Sequence, residues 1–376
     1  MNKPRIILPL VLLVLAVCLS GCQKKDTRTW APGQPLDKDS LKVGIVYLDG
    51  ARGGYSLAHD LGIVEAQLSL GLRDNQIMRK LYVNAAEPGM VESALADLIA
   101  MGANIIIATS WGFMDASESM SAKYPNVIFA HASGYKNNET NFKNYFGRIY
   151  QARYLGGIVA GLKTKSGKIG YVAAMDTSNS EVTGGINAFA MGVESVNPKA
   201  KIYVNVTNDW YNPAADAQSA RRLIGTGCDV IAQHVDTPQP QFEAEKANVW
   251  GIGYNVDMTR DAPKAVITSV VWNWGNYYVR LLRSVIDGSF TTESHFGGME
   301  DGMVDISPLN PALALPGMEE AVAEAKKRIL TEGFGIFDGV METNDGRKVG
   351  TEGATLPDAE ITGGINWYYR NVVEFK

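Results

Sequence analysis

Cysteine is scarce: three residues in a chain of 376, too few for a disulfide framework. The four histidines show no His-Glu-x-x-His or comparable spacing, and Cys228 has no cysteine neighbour, so the sequence calls for no metal site and no cofactor. A basic excess is also lacking. Thirty-five Lys and Arg against 40 Asp and Glu leave a net charge of −5, which argues against nucleic acid as the main partner. No Gly-x-Ser-x-Gly elbow occurs. The stretch from Gly161 to Lys168 has five residues between its glycines, and Ile169 where a phosphate loop needs Ser or Thr, so it reads as a turn before a strand. Carboxylate pairs such as Asp115 with Asp257 arise by chance among 40 acids. Nothing specific points to an enzyme. Glycine and proline, at 39 and 15 residues, are near average usage, which leaves a globular chain of about two domains.

Long apolar runs are missing except at the start. Lys3 and Arg5 precede an apolar run of fourteen residues, Ile6 to Leu19. A spanning helix needs about 20 residues, so residues 1–21 read as a signal peptide. The run ends in Leu19-Ser20-Gly21-Cys22, which resembles the bacterial lipobox, where the cysteine is acylated and becomes the first residue. Cys22 is therefore the expected lipidation site, holding the protein on a membrane without spanning it. Residues 22–40, polar and carrying Pro32 and Pro35, read as the tether.

From Leu41 the pattern alternates. Lys42–Tyr47, Ile77–Val83, Ile105–Ala108 and Val127–His131 have the composition of strands, with helical spacing over Leu57–Leu70, Val91–Met101 and Asp115–Tyr124. After Gly157-Ile158-Val159-Ala160-Gly161 a second series begins: strands at Ile169–Val172, Ile202–Val206, Val230–Gln233 and Val249–Tyr254, helices at Gly185–Val196, Ala214–Ile224 and Pro240–Ala247. Two such series predict an α/β protein of two lobes, residues 41–146 and 147–255. Residues 256–376 return across the hinge to lobe one and to C-terminal elements. Ligands of parallel sheets gather beyond the carboxyl ends of the strands.

Those ends are aromatic. Tyr55 and Ser56 follow the first strand. Ser110 and Trp111 follow Ala108, and Trp210 follows Val206. Asp236 comes after Gln233, Asp257 after Tyr254, and Trp272 and Trp274 after Thr268. Flat apolar walls with a few polar groups suit a planar ligand that forms hydrogen bonds. Each residue also has a plainer reading. The tryptophans suit core or hinge packing, Asp115 and Asp60 suit the first turns of helices, Tyr277 and Tyr278 suit packing, and His59 suits a solvent-facing position.

The lipobox, Asp49-Gly50 followed by Gly54-Tyr55-Ser56, the turn from Ser110 to Asp115, and Gly253-Tyr254-Asn255-Val256-Asp257-Met258 together resemble the basic membrane lipoprotein family. These are solute-binding lipoproteins of ABC transporters, including purine-nucleoside receptors, and the resemblance covers about residues 41–376. It implies a two-lobed periplasmic-binding-protein type I fold, each lobe a doubly wound, mostly parallel sheet. It also implies roles: Tyr55 stacking on a purine, Asp115 reading the base, and Asp257 binding ribose. Two residues depart from the nucleoside receptors, Ser56 standing for an asparagine and Trp272, followed by Trp274, for a lysine near the ribose. An indole in place of an ammonium removes a hydroxyl partner and adds a flat wall, which favours a free, adenine-like nucleobase.

The expected ligand set is Tyr55, Ser56, Ser110, Trp111, Asp115, Trp210, Asp236, Asp257 and Trp272. The expected partners are a purine nucleobase or nucleoside, the ABC permease subunits, and membrane lipid through Cys22 in the cell envelope. A sugar receptor, a nucleoside-cleaving enzyme and an adhesive or sensory lipoprotein are the alternatives. Cys22→Ser is expected to move the protein from the membrane fraction to the soluble fraction without changing ligand affinity. Unaltered membrane retention would refute the lipobox reading.

Overall fold

A computed structural model describes residues 30–51 and 53–375; the leader and Cys22 lie outside the described residues. Short, β-branched apolar runs form the strands of two parallel sheets. The first sheet takes β1 (Val43–Val46), β2 (Ile77–Lys80), β3 (Ile105–Ala108), β4 (Ile128–Ala132) and β5 (Phe142–Gly147). The second takes β6 (Lys168–Ala173), β7 (Lys201–Val206), β8 (Val230–His234), β9 (Trp250–Asn255) and β10 (Val266–Trp272). Later, β11 (His295–Gly297) returns to the first sheet, giving the order β11-β5-β4-β3-β1-β2. β12 (Val304–Ile306) and β15 (Val372–Glu374) flank the second, giving β12-β10-β9-β8-β6-β7-β15, parallel except for β12. β13 (Asp338–Glu342) and β14 (Lys348–Thr355) form a separate hairpin.

Helices cover both sheets, as parallel strands require. Lobe one carries α1 (Gly54–Leu70), α2 (Met90–Ala100) and α3 (Met114–Lys123). Lobe two carries α4 (Ile149–Lys163), α5 (Ser180–Val196), α6 (Pro213–Gly225) and α7 (Gln239–Lys246). α8 (Trp274–Asp287) then packs on α1, and α9 (Met318–Thr331) on α4. The segment read as a phosphate-loop mimic is a turn: α4 ends at Lys163 and β6 starts at Lys168.

The chain crosses between the sheets from β5 to α4, from β10 to α8, and from β11 to β12. Trp272, 4% exposed, ends β10 at this junction. A Cβ placed on Gly147 would lie 2.9 Å from the Trp272 ring, 3.2 Å from the Gly297 carbonyl oxygen and 3.5 Å from the Val304 side chain, so Trp272 packs where all three crossings meet. Arg148 fastens the same place. Its guanidinium donates to Asp358 (2.7 Å), Glu300 (2.6 Å) and the Phe296 carbonyl (2.7 Å).

α4 and α5 approach unusually closely. A Cβ on Gly157 would sit 2.1 Å from the Phe189 carbonyl oxygen, and one on Gly192 would sit 2.0 Å from the Tyr154 carbonyl oxygen. Backbone oxygens cannot swing aside as side chains do, so these two positions set the spacing that places Arg153 of α4 near Glu181 of α5. Gly192→Ala is expected to cost about 1–3 kcal/mol through overpacking, seen as a lower urea midpoint at unchanged slope. An unchanged midpoint would show that the helices separate freely.

Candidate functional site

The lobes touch where α1 begins. Gly54 has φ +56, and a Cβ there would lie 2.4 Å from the Asp236 carbonyl oxygen and 2.5 Å from its side chain. Only glycine combines that backbone with that contact. Tyr55 follows, its ring edge-on to His59 at 4.4 Å and to Trp274 at 6.1 Å. His59 stacks on Trp274 at 4.3 Å, and Trp274 stacks on Trp272 at 4.5 Å. Three nearly parallel rings thus run from α1 to the end of β10. His59 does not face solvent. It is fully buried and joined by a hydrogen bond to the Tyr278 hydroxyl, which meets the Tyr145 hydroxyl at 2.9 Å. The packing reading of Tyr278 and Tyr277 agrees with their burial.

Lobe two supplies a charged wall. Arg153 is 1% exposed, its guanidinium carbon 3.9 Å from the centre of the Tyr254 ring. One nitrogen, Nη1, donates to the Gln233 carbonyl at 2.6 Å, while Nε and Nη2 make no hydrogen bond of normal geometry among the described residues. His234 is buried between Trp210 (5.7 Å) and Tyr254 (4.7 Å), with neither ring nitrogen in a hydrogen bond. Its Nε2 lies 3.5 Å from a Glu181 carboxylate oxygen. Burial holds His59 and His234 well below the usual histidine range, so the His234–Glu181 approach is not an ion pair. Burial also pushes Glu181 up to about 7 against the pull of Arg153. Asp236 is likewise pushed up to about 7 by burial, although it accepts a hydrogen bond from Asn255 Nδ2 at 2.7 Å.

The two walls face each other. Tyr55 is within electrostatic reach of Glu181, Tyr254 and Asp236. The Tyr55 and Tyr171 hydroxyls, His59 Nε2, Asn255 Oδ1 and Trp274 Nε1 are all buried without a hydrogen bond of normal geometry among the described residues. Folded proteins leave few buried polar atoms unsatisfied. Here they are concentrated between two lobes and framed by aromatic faces.

The expected residues divide. Tyr55, Ser56, Trp210, Asp236 and Trp272 stand at this junction, Ser56 buried beside Tyr55 on α1. Trp210 is tied in by its carbonyl, which accepts from the Asp236 N–H at 2.8 Å. Asp115 and Trp111 lie exposed beyond the end of β3, and Asp257 lies exposed beyond the end of β9. α3 buries Met114, Ala116, Ser117 and Met120, so Asp115 points outward, its side chain 84% exposed and paired with Lys136 at 2.8 Å. In the preceding turn Phe113 takes the interior position, and Trp111, 56% exposed, packs on Tyr135. The Ser110 carbonyl accepts from His131 Nε2 at 2.7 Å. Asp257 is exposed, accepts from the Thr259 N–H at 3.0 Å, and lines a groove of about 760 Å³ together with Asn255, Trp272 and Trp274. Arg153, Glu181, His234 and Tyr254 complete the junction.

A family profile described as ABC transporter substrate-binding protein PnrA-like (Bmp) matches residues 59–334. The chain belongs to this family. Its members are substrate-binding proteins rather than enzymes, acting in the periplasm or on the cell's outer face. Among the described residues no helix is long and apolar enough to cross a membrane. The chain is 31% identical over 338 residues to a purine-binding protein of Brucella abortus, covering 89% of this chain and 93% of that protein. It is 32% identical over 321 residues to a Haloferax volcanii protein provisionally named an ABC transporter glucose-binding protein, covering 85% and 80%. An ABC transporter solute-binding protein from Conexibacter woesei superposes with a TM-score of 0.65 at 17% identity, over 78% of this chain and 97% of that one. That likeness supports the two-lobed α/β fold expected from the sequence.

For a PnrA-like receptor, the partly buried carboxylates make stability depend on pH. Asp236 titrates near 7 when folded and near 4 when unfolded. Its contribution is therefore full below about 4 and lost as pH rises through about 7. Asn mimics the neutral acid and has no such loss. The stability of Asp236→Asn relative to wild type should thus rise between about pH 4 and 7 and level off above. A difference independent of pH in chemical denaturation would remove this assignment.

Proposed function

We propose that this protein is the receptor of an ABC importer for a purine nucleobase, enclosed between the lobes by hinge closure and anchored to the membrane through acylated Cys22. One observation carries the reading: aromatic faces and unpartnered buried polar atoms meet between the lobes, around Tyr55, His59 and Trp274 on one side and Arg153, His234 and Tyr254 on the other. A planar heterocycle uses both kinds of surface at once, stacking on rings while its edge takes up the polar atoms. The name of the Brucella abortus relative supports the same class.

Lobe one then comprises residues 41–147 and 274–297, and lobe two residues 149–272 and 304–375. A ligand that touches both lobes adds contacts only when they close, so it shifts the population toward the closed form. Trp272 belongs to the hinge in this reading, and Tyr55 is the stacking partner.

Calorimetric titration with hypoxanthine, adenine, adenosine and glucose tests the class. A base is expected to bind more tightly than its nucleoside, with no measurable glucose binding. Tyr55→Ala should weaken base affinity by about one to two decades, the cost of a lost base–aromatic stack, while Tyr55→Phe should change it much less. Glucose binding with no purine binding would overturn the nucleobase assignment. Unchanged base affinity in folded Tyr55→Ala would overturn the stacking role.

A further inference from the structure

We infer that Arg153, with Glu181 beside it, reads the edge of the ligand and selects 6-oxopurines over 6-aminopurines. This rests on the nucleobase reading and departs from the adenine-like preference that Trp272 suggested. Arg153 lies in the middle of α4, where its neighbours Ala152, Tyr154 and Leu155 are apolar or aromatic and buried. The guanidinium is held from two sides, by the bond from Nη1 to the Gln233 carbonyl and by the Tyr254 ring beneath it. What remains is Nε–H and an Nη2–H, which point the same way along one edge of a planar group. Neither makes a hydrogen bond of normal geometry among the described residues, although the Tyr171 hydroxyl approaches the guanidinium.

Two parallel donors on a rigid fork match two acceptors side by side. A 6-oxopurine presents that pair as O6 and N7, the same edge that arginine reads on guanine. Adenine has N7 but carries an amino group at position 6, so its N–H would confront the arginine's own hydrogens. Glu181 adds an independent mismatch. It stands on the first turn of α5, within electrostatic reach of Arg153, and no salt bridge between the two is found among the described residues. Above about pH 7 its carboxylate is ionised and is an acceptor only. An oxopurine carries N1–H next to O6, whereas adenine has a lone pair at N1. The donor–acceptor order along this wall thus fits one class of purine at two points and opposes the other at both.

The first test uses the wild-type protein in calorimetric titrations with hypoxanthine, guanine and adenine. The oxopurines should bind about 5- to 150-fold more tightly than adenine, the range for one good bidentate contact. Glu181→Gln offers an amide that can donate to N1 of adenine, so it should move the hypoxanthine/adenine ratio toward adenine. Arg153→Gln should bring the ratio near one. Because Arg153 is buried, its variant is read only where thermal melting shows a folded protein; Glu181→Gln and the wild-type ratio decide the matter otherwise. Wild-type preference for adenine would overturn this inference and leave the nucleobase receptor standing. Failure of every purine would overturn the nucleobase reading itself. A folded variant that keeps the wild-type ratio would show that its side chain only supports the fold.

Discussion

The stack of Trp272 on Trp274 is the contact on which the rest of the architecture turns. The two residues are separated by Asn273 alone, yet Trp272 ends a strand of the second sheet and Trp274 opens a helix packed on the first lobe. Their rings lie 4.5 Å apart and within 11° of parallel. Trp272 also packs among all three crossings, and Trp274 also stacks on His59. The rings that join the two lobes here are therefore in direct contact with the residues around Tyr55. Close-packed interiors switch between discrete arrangements rather than bending smoothly, which makes an aromatic stack well suited to pass a change at the site to the hinge.

Much of this fold was legible in the sequence, for a physical reason. Strands buried on both faces appear as short, unbroken apolar runs, so β3 is found at Ile105–Ala108 as expected and most others agree to within one or two residues. β5 escaped notice because Lys143 and Asn144 interrupt it. α4 was masked by Gly156, Gly157 and Gly161. Glycines usually mark a loop, but Gly157 and Gly161 serve here to let α5 pack against the backbone.

The site was legible only in part. Tyr55, Trp210, Asp236 and Trp272 follow strands, and strand ends can be located from the pattern. Asp115 also follows a strand, but being next to a strand does not say which face of the next helix is buried, and α3 leaves its side chain exposed beside Lys136. His59 was misread for the converse reason. Arg153 follows β5, the strand whose pattern Lys143 and Asn144 interrupt, and Glu181 sits on the first turn of α5; the two meet because α4 and α5 cross closely. One signal was available. A single arginine between Ala152 and the apolar residues from Leu155 to Ala160 is costly to bury unless something uses its charge.

In the hinge closure proposed above, that cost is what lets a ligand govern the closed form. Arg153, Glu181, His59 and His234 are withdrawn from water here, and several of their polar atoms gain no protein partner in return. Desolvating such groups without compensation opposes closure. The aromatic contacts between the lobes favour it. A molecule that supplies hydrogen bonds to those atoms removes the opposing part and leaves the favourable part intact. Filling every one of these positions with self-satisfied side chains would make the closed form stable by itself and insensitive to its cargo. On the receptor reading proposed above, the unsatisfied polar atoms are what makes closure conditional.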